Sequence, residues 1–147
     1  MNITAADVNK LRQITGAGMM DCKKALTEAE GDFDAAIDLL RKKGQKVAAN
    51  RGDREATEGV ILAKLADGGK TGVMIALNCE TDFVAKNADF VAVASHILET
   101  AIANKPASLD DLKALNYTGT DLTIGDKIVE EIGKIGEKIE LSHYSVV

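Results

Sequence analysis

Tryptophan is absent from this 147-residue chain, and all aromatics together make up 3% of it. The core must therefore be aliphatic, and an exposed phenylalanine would stand out. No long apolar run occurs. A stretch such as Val73 to Leu77, which no other run exceeds, is far too short to cross a bilayer. The N-terminus, Met1-Asn2-Ile3-Thr4-Ala5-Ala6-Asp7, has no basic region and does not read as a secretory signal. Cys22 and Cys79 lie far apart, so the expectation is two free thiols in a cytoplasmic protein. No Cys/His cluster has metal-ligand spacing. Basic excess is also lacking: the net charge is −5. Residues 1–54 hold ten basic and eight acidic side chains, and residues 55–147 hold eight and fifteen. An acidic chain argues against broad contact with a nucleic-acid backbone. The small basic excess at the start could face an acidic partner.

Hydrophobic residues at 46% and charged residues at 28% suit a folded domain. Periodicity predicts three short helices over residues 4–44. Thr4 and Asp7 form a capping-box pattern for the first. Val8, Leu11 and Ile14 share one face of it, and Gly16 ends it. The second runs from Met19 to Glu30 with Cys22, Ala25, Leu26 and Ala29 inward, and Gly31 stops it. Asp32 caps the third, with Phe33, Ala36, Ile37 and Leu40 inward and Gly44 as the close. Such a unit has a small core and marginal stability. Residues 45–56 either continue the helix or link it onward.

Beyond this point the period changes. Val60 to Leu65 reads as a strand with two partly buried faces, and Asp67-Gly68-Gly69 as a hairpin turn. A second strand follows over 72–78, then a polar insertion over 80–87. Asn87 can cap a helix with Phe90, Ala94, Ile97, Leu98 and Ala101 inward, and Pro106 ends that stretch. Ser108 with Asp111, and Thr123 with Asp126, look like caps of two more helices. Residues 138–147 read as a third strand. The expected class is α+β: a three-helix module and linker over 1–54, then a core subdomain over 55–147 built on an antiparallel hairpin with helices. A strand at the end suggests that the chain is cut short.

Catalytic motifs are weak. Gly69-Lys70-Thr71 matches the end of a phosphate-binding loop, but the required first glycine position holds Lys64, and the loop joins two strands. Cys79 and His96 have no spacing that brings them together. Arg41-Lys42-Lys43 suits a solvated helix end. Two segments stand apart. Thr15-Gly16-Ala17-Gly18-Met19-Met20 carries two adjacent methionines that cannot both face one helix core. The expectation is that one packs inward and the other is exposed for binding. Thr81-Asp82-Phe83-Val84-Ala85-Lys86-Asn87 places a phenylalanine in a polar turn.

The run from Leu11 to Leu26, LRQITGAGMMDCKKAL, closely resembles the opening signature of the elongation factor Ts family. Thr81 to Asn87 resembles its second signature, and Ile135-Gly136-Glu137 a third landmark. The resemblance implies a ubiquitin-associated-like helical module followed by an antiparallel sheet layered with helices. It implies a translation factor that binds elongation factor Tu, with GDP or without nucleotide, and promotes GDP release. It implies no enzyme activity, no cofactor, no direct nucleic-acid binding and no membrane. The implied partner-binding residues are Thr81, Asp82, Phe83 and Val84, which would disturb the partner's magnesium site. Arg12, Met19, Met20 and Arg51 in the module join them, as do Ile135 and Gly136 near the partner's phosphate loop. Arg51 stands where relatives often carry lysine, which keeps the charge but not the hydrogen-bond geometry. Most members have a second core subdomain, and a shorter class has one core copy and dimerises. A longer chain and a homodimer are therefore both open. The alternative reading is a module that tethers a partner without driving exchange.

Overall fold

A computed structural model describes residues 2–147. Among the described residues, seven α-helices, one 3-10 turn and three strands make an α+β arrangement. Three helices come first: α1 (Ala5–Thr15), α2 (Met19–Glu28) and α3 (Phe33–Asn50). The strands are β1 (Glu58–Ala66), β2 (Thr71–Cys79) and β3 (Glu140–Val146). Between β2 and β3 lie α4 (Asp82–Ala85), α5 (Ala88–Asn104), α6 (Leu109–Ala114) and α7 (Ile124–Ile135). The chain forms two compact units. One contains the chain up to Gly52 together with Val129–Gly136, and the other contains Asp53–Ile128 and Glu137–Val147.

In the first unit, the expected capping box is formed. The Thr4 hydroxyl accepts from the Asp7 amide, and the Asp7 carboxylate accepts from the Thr4 amide, both at 3.1 Å. Val8 and Leu11 are buried, but Ile14 is exposed, so the apolar stripe of α1 ends one turn before the helix does. Val8, Leu11, Cys22, Ala25, Leu26 and Ala36 make the small aliphatic core. Helix α2 stops at Glu28 and not Glu30, because Glu30 and Gly31 turn the chain through positive φ. Asp32 then caps α3 through the Ala35 amide.

Gly44 does not close α3, contrary to the sequence expectation; of the two readings for residues 45–56, continuation of the helix holds for the first part. The helix runs on for two more turns, to Asn50. Glycine serves here as a contact residue. A Cβ on Gly133 of α7 would lie 2.5 Å from the Gly44 Cα, and one on Gly44 would lie 3.0 Å from the Val129 carbonyl oxygen. The two backbones approach more closely than any side chain allows.

In the second unit, β2 is the central strand of an antiparallel sheet ordered β1-β2-β3. A one-residue irregularity opposite Ala76 and Leu77 leaves Ser142 out of the register, and its hydroxyl donates to the Asn78 side-chain oxygen. Asp67, Gly68 and Gly69 turn the hairpin with positive φ at all three residues. Val73, Ile75, Leu77 and Cys79 alternate onto the buried face of β2, as period two requires. Helix α5 covers that face with Phe90, Val93, Ala94, Ile97, Leu98 and Ala101. β1 does not bury both faces as expected: Ile61 and Leu65 are exposed while Val60 and Leu62 are half-buried. β1 is an edge strand under one layer of helix, so half of its side chains have nothing to pack against. The predicted third strand is confirmed as β3. Its Tyr144 hydroxyl donates to the Pro106 carbonyl at 2.7 Å. His96 stacks on Tyr117 with ring centroids 3.9 Å apart. Among the described residues, no helix is long and apolar enough to cross a membrane.

Candidate functional site

The polar insertion between β2 and α5 is more ordered than its composition suggests. It contains the single-turn helix α4, started by Thr81 in extended conformation. The Thr81 hydroxyl accepts from the Val84 amide at 3.4 Å. An isolated turn this short has no stability of its own, so its neighbours must hold it. The Thr81 amide donates to Glu137 Oε1 at 3.0 Å, and the Thr81 hydroxyl donates to Glu137 Oε2 at 2.8 Å. The Cys79 thiol donates to the Thr81 carbonyl at 3.2 Å. Asn87 then caps α5 through the amides of Asp89 and Phe90.

On this fixed mount Phe83 is 83% exposed. Asp82, next to it, is also exposed and pairs with Lys86 one turn on at 3.7 Å. Val84 is half-buried. The chain thus presents an apolar ring and a carboxylate side by side, backed by a hydrogen-bonded support.

The turn between α1 and α2 is built on the same plan. The Thr15 hydroxyl donates to the Leu11 carbonyl at 2.8 Å and accepts from the Ala17 amide at 3.2 Å. The Cys22 thiol lies 3.7 Å from the Ala17 carbonyl. Met19 and Met20 follow at 53% and 75% exposure. The expectation that one packs inward is therefore corrected. Both lie in the first turn of α2, before the stripe of Cys22, Ala25 and Leu26 reaches the core, so neither has a core to enter. Arg12 is exposed near the end of α1, and Arg51 is half-buried at the C-terminal cap of α3. Ile135 and Gly136 are half-buried, and Gly136 has positive φ as α7 ends.

Other candidates recede. Cys22 and Cys79 are free and buried. Burial pushes the Cys79 thiol up to about 11, with the nearby Glu137 carboxylate adding to the rise. A thiol held protonated is a poor nucleophile at neutral pH. His96 is engaged with Tyr117 instead of Cys79. Lys70 lies in the hairpin turn and opens no helix. Among the described residues, no group of three or more His, Cys, Asp or Glu side chains could hold a metal ion. Arg41, Lys42 and Lys43 are exposed, as expected, but lie mid-helix. Lys42 pairs with Asp38, and Lys43 pairs with Asp21 of α2. Sequence reasoning missed the part played by Glu137. Its contacts with Glu80 and Thr81 span 57 and 56 residues, and no local pattern reports such a contact.

Comparison with known proteins gives one family. A family model described as "Elongation factor TS" matches residues 80–147. The elongation factor Ts of Amoebophilus asiaticus is 58% identical over 147 residues, which is 100% of this chain and 52% of that protein. That of Christiangramia forsetii is 58% identical over 142 residues, covering 97% of this chain and 50% of the relative. That of Bacteroides thetaiotaomicron is 55% identical over 147 residues and 43% of its own length. The chain thus spans about half the length of the curated relatives it matches. With both signatures present and more than half its residues shared with these proteins, the chain is similar along its whole length to elongation factor Ts proteins.

Proposed function

We propose that this chain acts in translation as a guanine nucleotide exchange factor that speeds GDP release from elongation factor Tu. The observation that carries the reading is Phe83, a large apolar ring exposed on a rigidly supported turn with Asp82 beside it. Water disfavours such a ring, so its exposure favours a binding role.

GDP is held largely through its phosphates, by backbone amides, a lysine and Mg²⁺. Mg²⁺ demands near-ideal octahedral geometry, so a small displacement of its ligands weakens it strongly. Phe83 inserted between elements of the partner supplies that displacement, and Asp82 redirects polar groups around the metal's waters. Thr81 and Val84 hold the wedge. Ile135 and Gly136 contact the partner near its phosphate loop. Arg12, Met19, Met20 and Arg51 add affinity from the helical module. The factor binds elongation factor Tu both with GDP and without nucleotide. Coupling is reciprocal: the ratio by which the factor weakens GDP is the ratio by which GDP weakens the factor. No bond is made or broken, so the protein works by binding and not as an enzyme.

The exposed Ile14, Met19 and Met20 favour a second reading, tethering without exchange. Release of a fluorescent GDP from elongation factor Tu, with the chain titrated in, separates the two. Exchange raises the release rate to a plateau, and chelating Mg²⁺ narrows the gain. Tethering gives binding with an unchanged release rate.

A further inference from the structure

The support under Phe83 leads to Glu137, the last residue of the Ile135-Gly136-Glu137 landmark. The Glu137 carboxylate accepts three hydrogen bonds from the turn: from the Glu80 amide at 3.1 Å, the Thr81 amide at 3.0 Å and the Thr81 hydroxyl at 2.8 Å. Glu80 returns the contact, its Oε2 accepting from the Lys138 amide at 2.5 Å. Two segments distant in sequence thus exchange side-chain-to-backbone bonds in both directions. The Thr81 hydroxyl passes the constraint on, since it also accepts from the Val84 amide and so starts α4.

Phe83, at 83% exposure, has little packing of its own to set its direction. A four-residue helix cannot set it either. α4 lies against β1 and β2, and the Glu137 bonds fix its first turn on that base. β3 has its own ladder with β2, so holding that strand in the sheet does not require the Glu137 carboxylate. We propose that Glu137 is a positioning residue for exchange: through Thr81 it fixes the first turn of α4, so that Asp82 and Phe83 are presented in one orientation before the partner arrives. This rests on the exchange reading above and deepens it. Ordering the turn beforehand removes a cost that binding would otherwise meet.

The test uses the full chain and its Glu137→Ala variant. Three quantities are read: melting temperature, hydrogen exchange at the Glu80, Thr81 and Val84 amides, and release of fluorescent GDP from elongation factor Tu across a titration. Charge-assisted hydrogen bonds are strong enough that losing them changes such quantities by roughly tenfold. The Thr81 and Val84 amides should lose about that much protection. The maximal release rate should fall by a similar factor, with the half-saturating concentration moving much less. Glu137→Gln should recover part of the loss. Its carbonyl oxygen still accepts from the two amides, and the Thr81 hydroxyl can turn to accept from its NH₂. If Glu137→Ala fails to fold, Thr81→Val breaks the same relay while keeping the side chain's shape, and a rate loss of that size supports the proposal. A folded variant with parental amide protection or a parental maximal rate overturns it. A parent chain that accelerates no release sinks the exchange reading and this inference together. A fully active parent beside a fully active Glu137→Ala sinks the inference alone.

Discussion

Phe83 and Phe90 stand seven positions apart in one chain segment and meet opposite fates. Phe90 lies in the first turn of α5, 2% exposed, and packs against the sheet. Phe83 lies on α4 with most of its ring in water. The difference does not come from the side chain, which is the same. It comes from where each ring lies: Phe90 is on the face of α5 that covers β1 and β2, whereas Phe83 stays in solvent on α4, whose N-cap Thr81 is tied by hydrogen bonds to Glu137 and Cys79. Hydrophobic burial holds one phenylalanine, and the other rides on a turn hydrogen-bonded to the Glu137 carboxylate.

The largest expected effect breaks the buried side of this comparison. Phe90→Ala removes a ring from a filled core and should cost roughly 3–5 kcal/mol of stability. Urea unfolding monitored by circular dichroism measures it. A loss near zero would mean that α5 is not anchored as the structure has it.

The methionine turn sharpens the exposed side. Met20→Ala should leave urea unfolding within about 0.5 kcal/mol of the parent, as surface sites do. It should weaken association with elongation factor Tu by about 1–2 kcal/mol if it is a contact residue. Met19→Ala, less exposed, should lose less. Isothermal titration against nucleotide-free elongation factor Tu gives both numbers. Unchanged affinity in both variants would take this turn out of the interface.

Cys79, beneath the Phe83 turn, gives a pH-dependent expectation. Its ordinary pKa is 9.0, and burial raises it to about 11 in the folded chain. Above the lower value the unfolded thiol ionises while the folded one stays protonated. The stabilising contribution is therefore complete below about pH 9 and is lost as pH rises towards about 11. Parent and Cys79→Ala should differ in how much stability they lose between pH 8 and pH 10.5, the parent losing more. Equal losses would mean that the thiol is not buried as described. A thiol-selective reagent should label the folded parent slowly at neutral pH.

The smallest effect concerns Asp82. Asp82→Ala should reduce stimulated GDP release by less than loss of the ring does. The deficit should shrink when Mg²⁺ is chelated, because the step it assists is then already complete. A deficit that persists without Mg²⁺ would place the carboxylate's role elsewhere.

Much of this fold was legible because its signals are local. Thr4 with Asp7, Asp32 and Asn87 cap the helices they were expected to cap, since a cap is a bond between residues two or three apart. The hairpin followed from Asp67-Gly68-Gly69 for the same reason. The misreadings share the opposite cause. Gly44 looks like a stop until the Gly133 backbone is placed against it. Ile61 and Leu65 look buried until no second layer lies over β1. The methionine pair was divided between core and solvent because periodicity alone cannot say where a stripe stops. For the candidate site, the residue types in Thr81 to Val84 drew notice from the sequence. Glu137 appears there only as the end of the Ile135-Gly136-Glu137 landmark, and its supporting role is not legible because its partners lie more than fifty residues away.

One measurement bears most directly on the central claim. Phe83→Ala is compared with the parent in urea unfolding and in release of fluorescent GDP from elongation factor Tu, each at saturating concentration. The parent must first accelerate release. The account then predicts unfolding within about 0.5 kcal/mol of the parent and a maximal release rate lower by about tenfold, or roughly 1.4 kcal/mol in the barrier to release. A variant that unfolds like a core deletion, or one that keeps both its stability and its full stimulation, would contradict it.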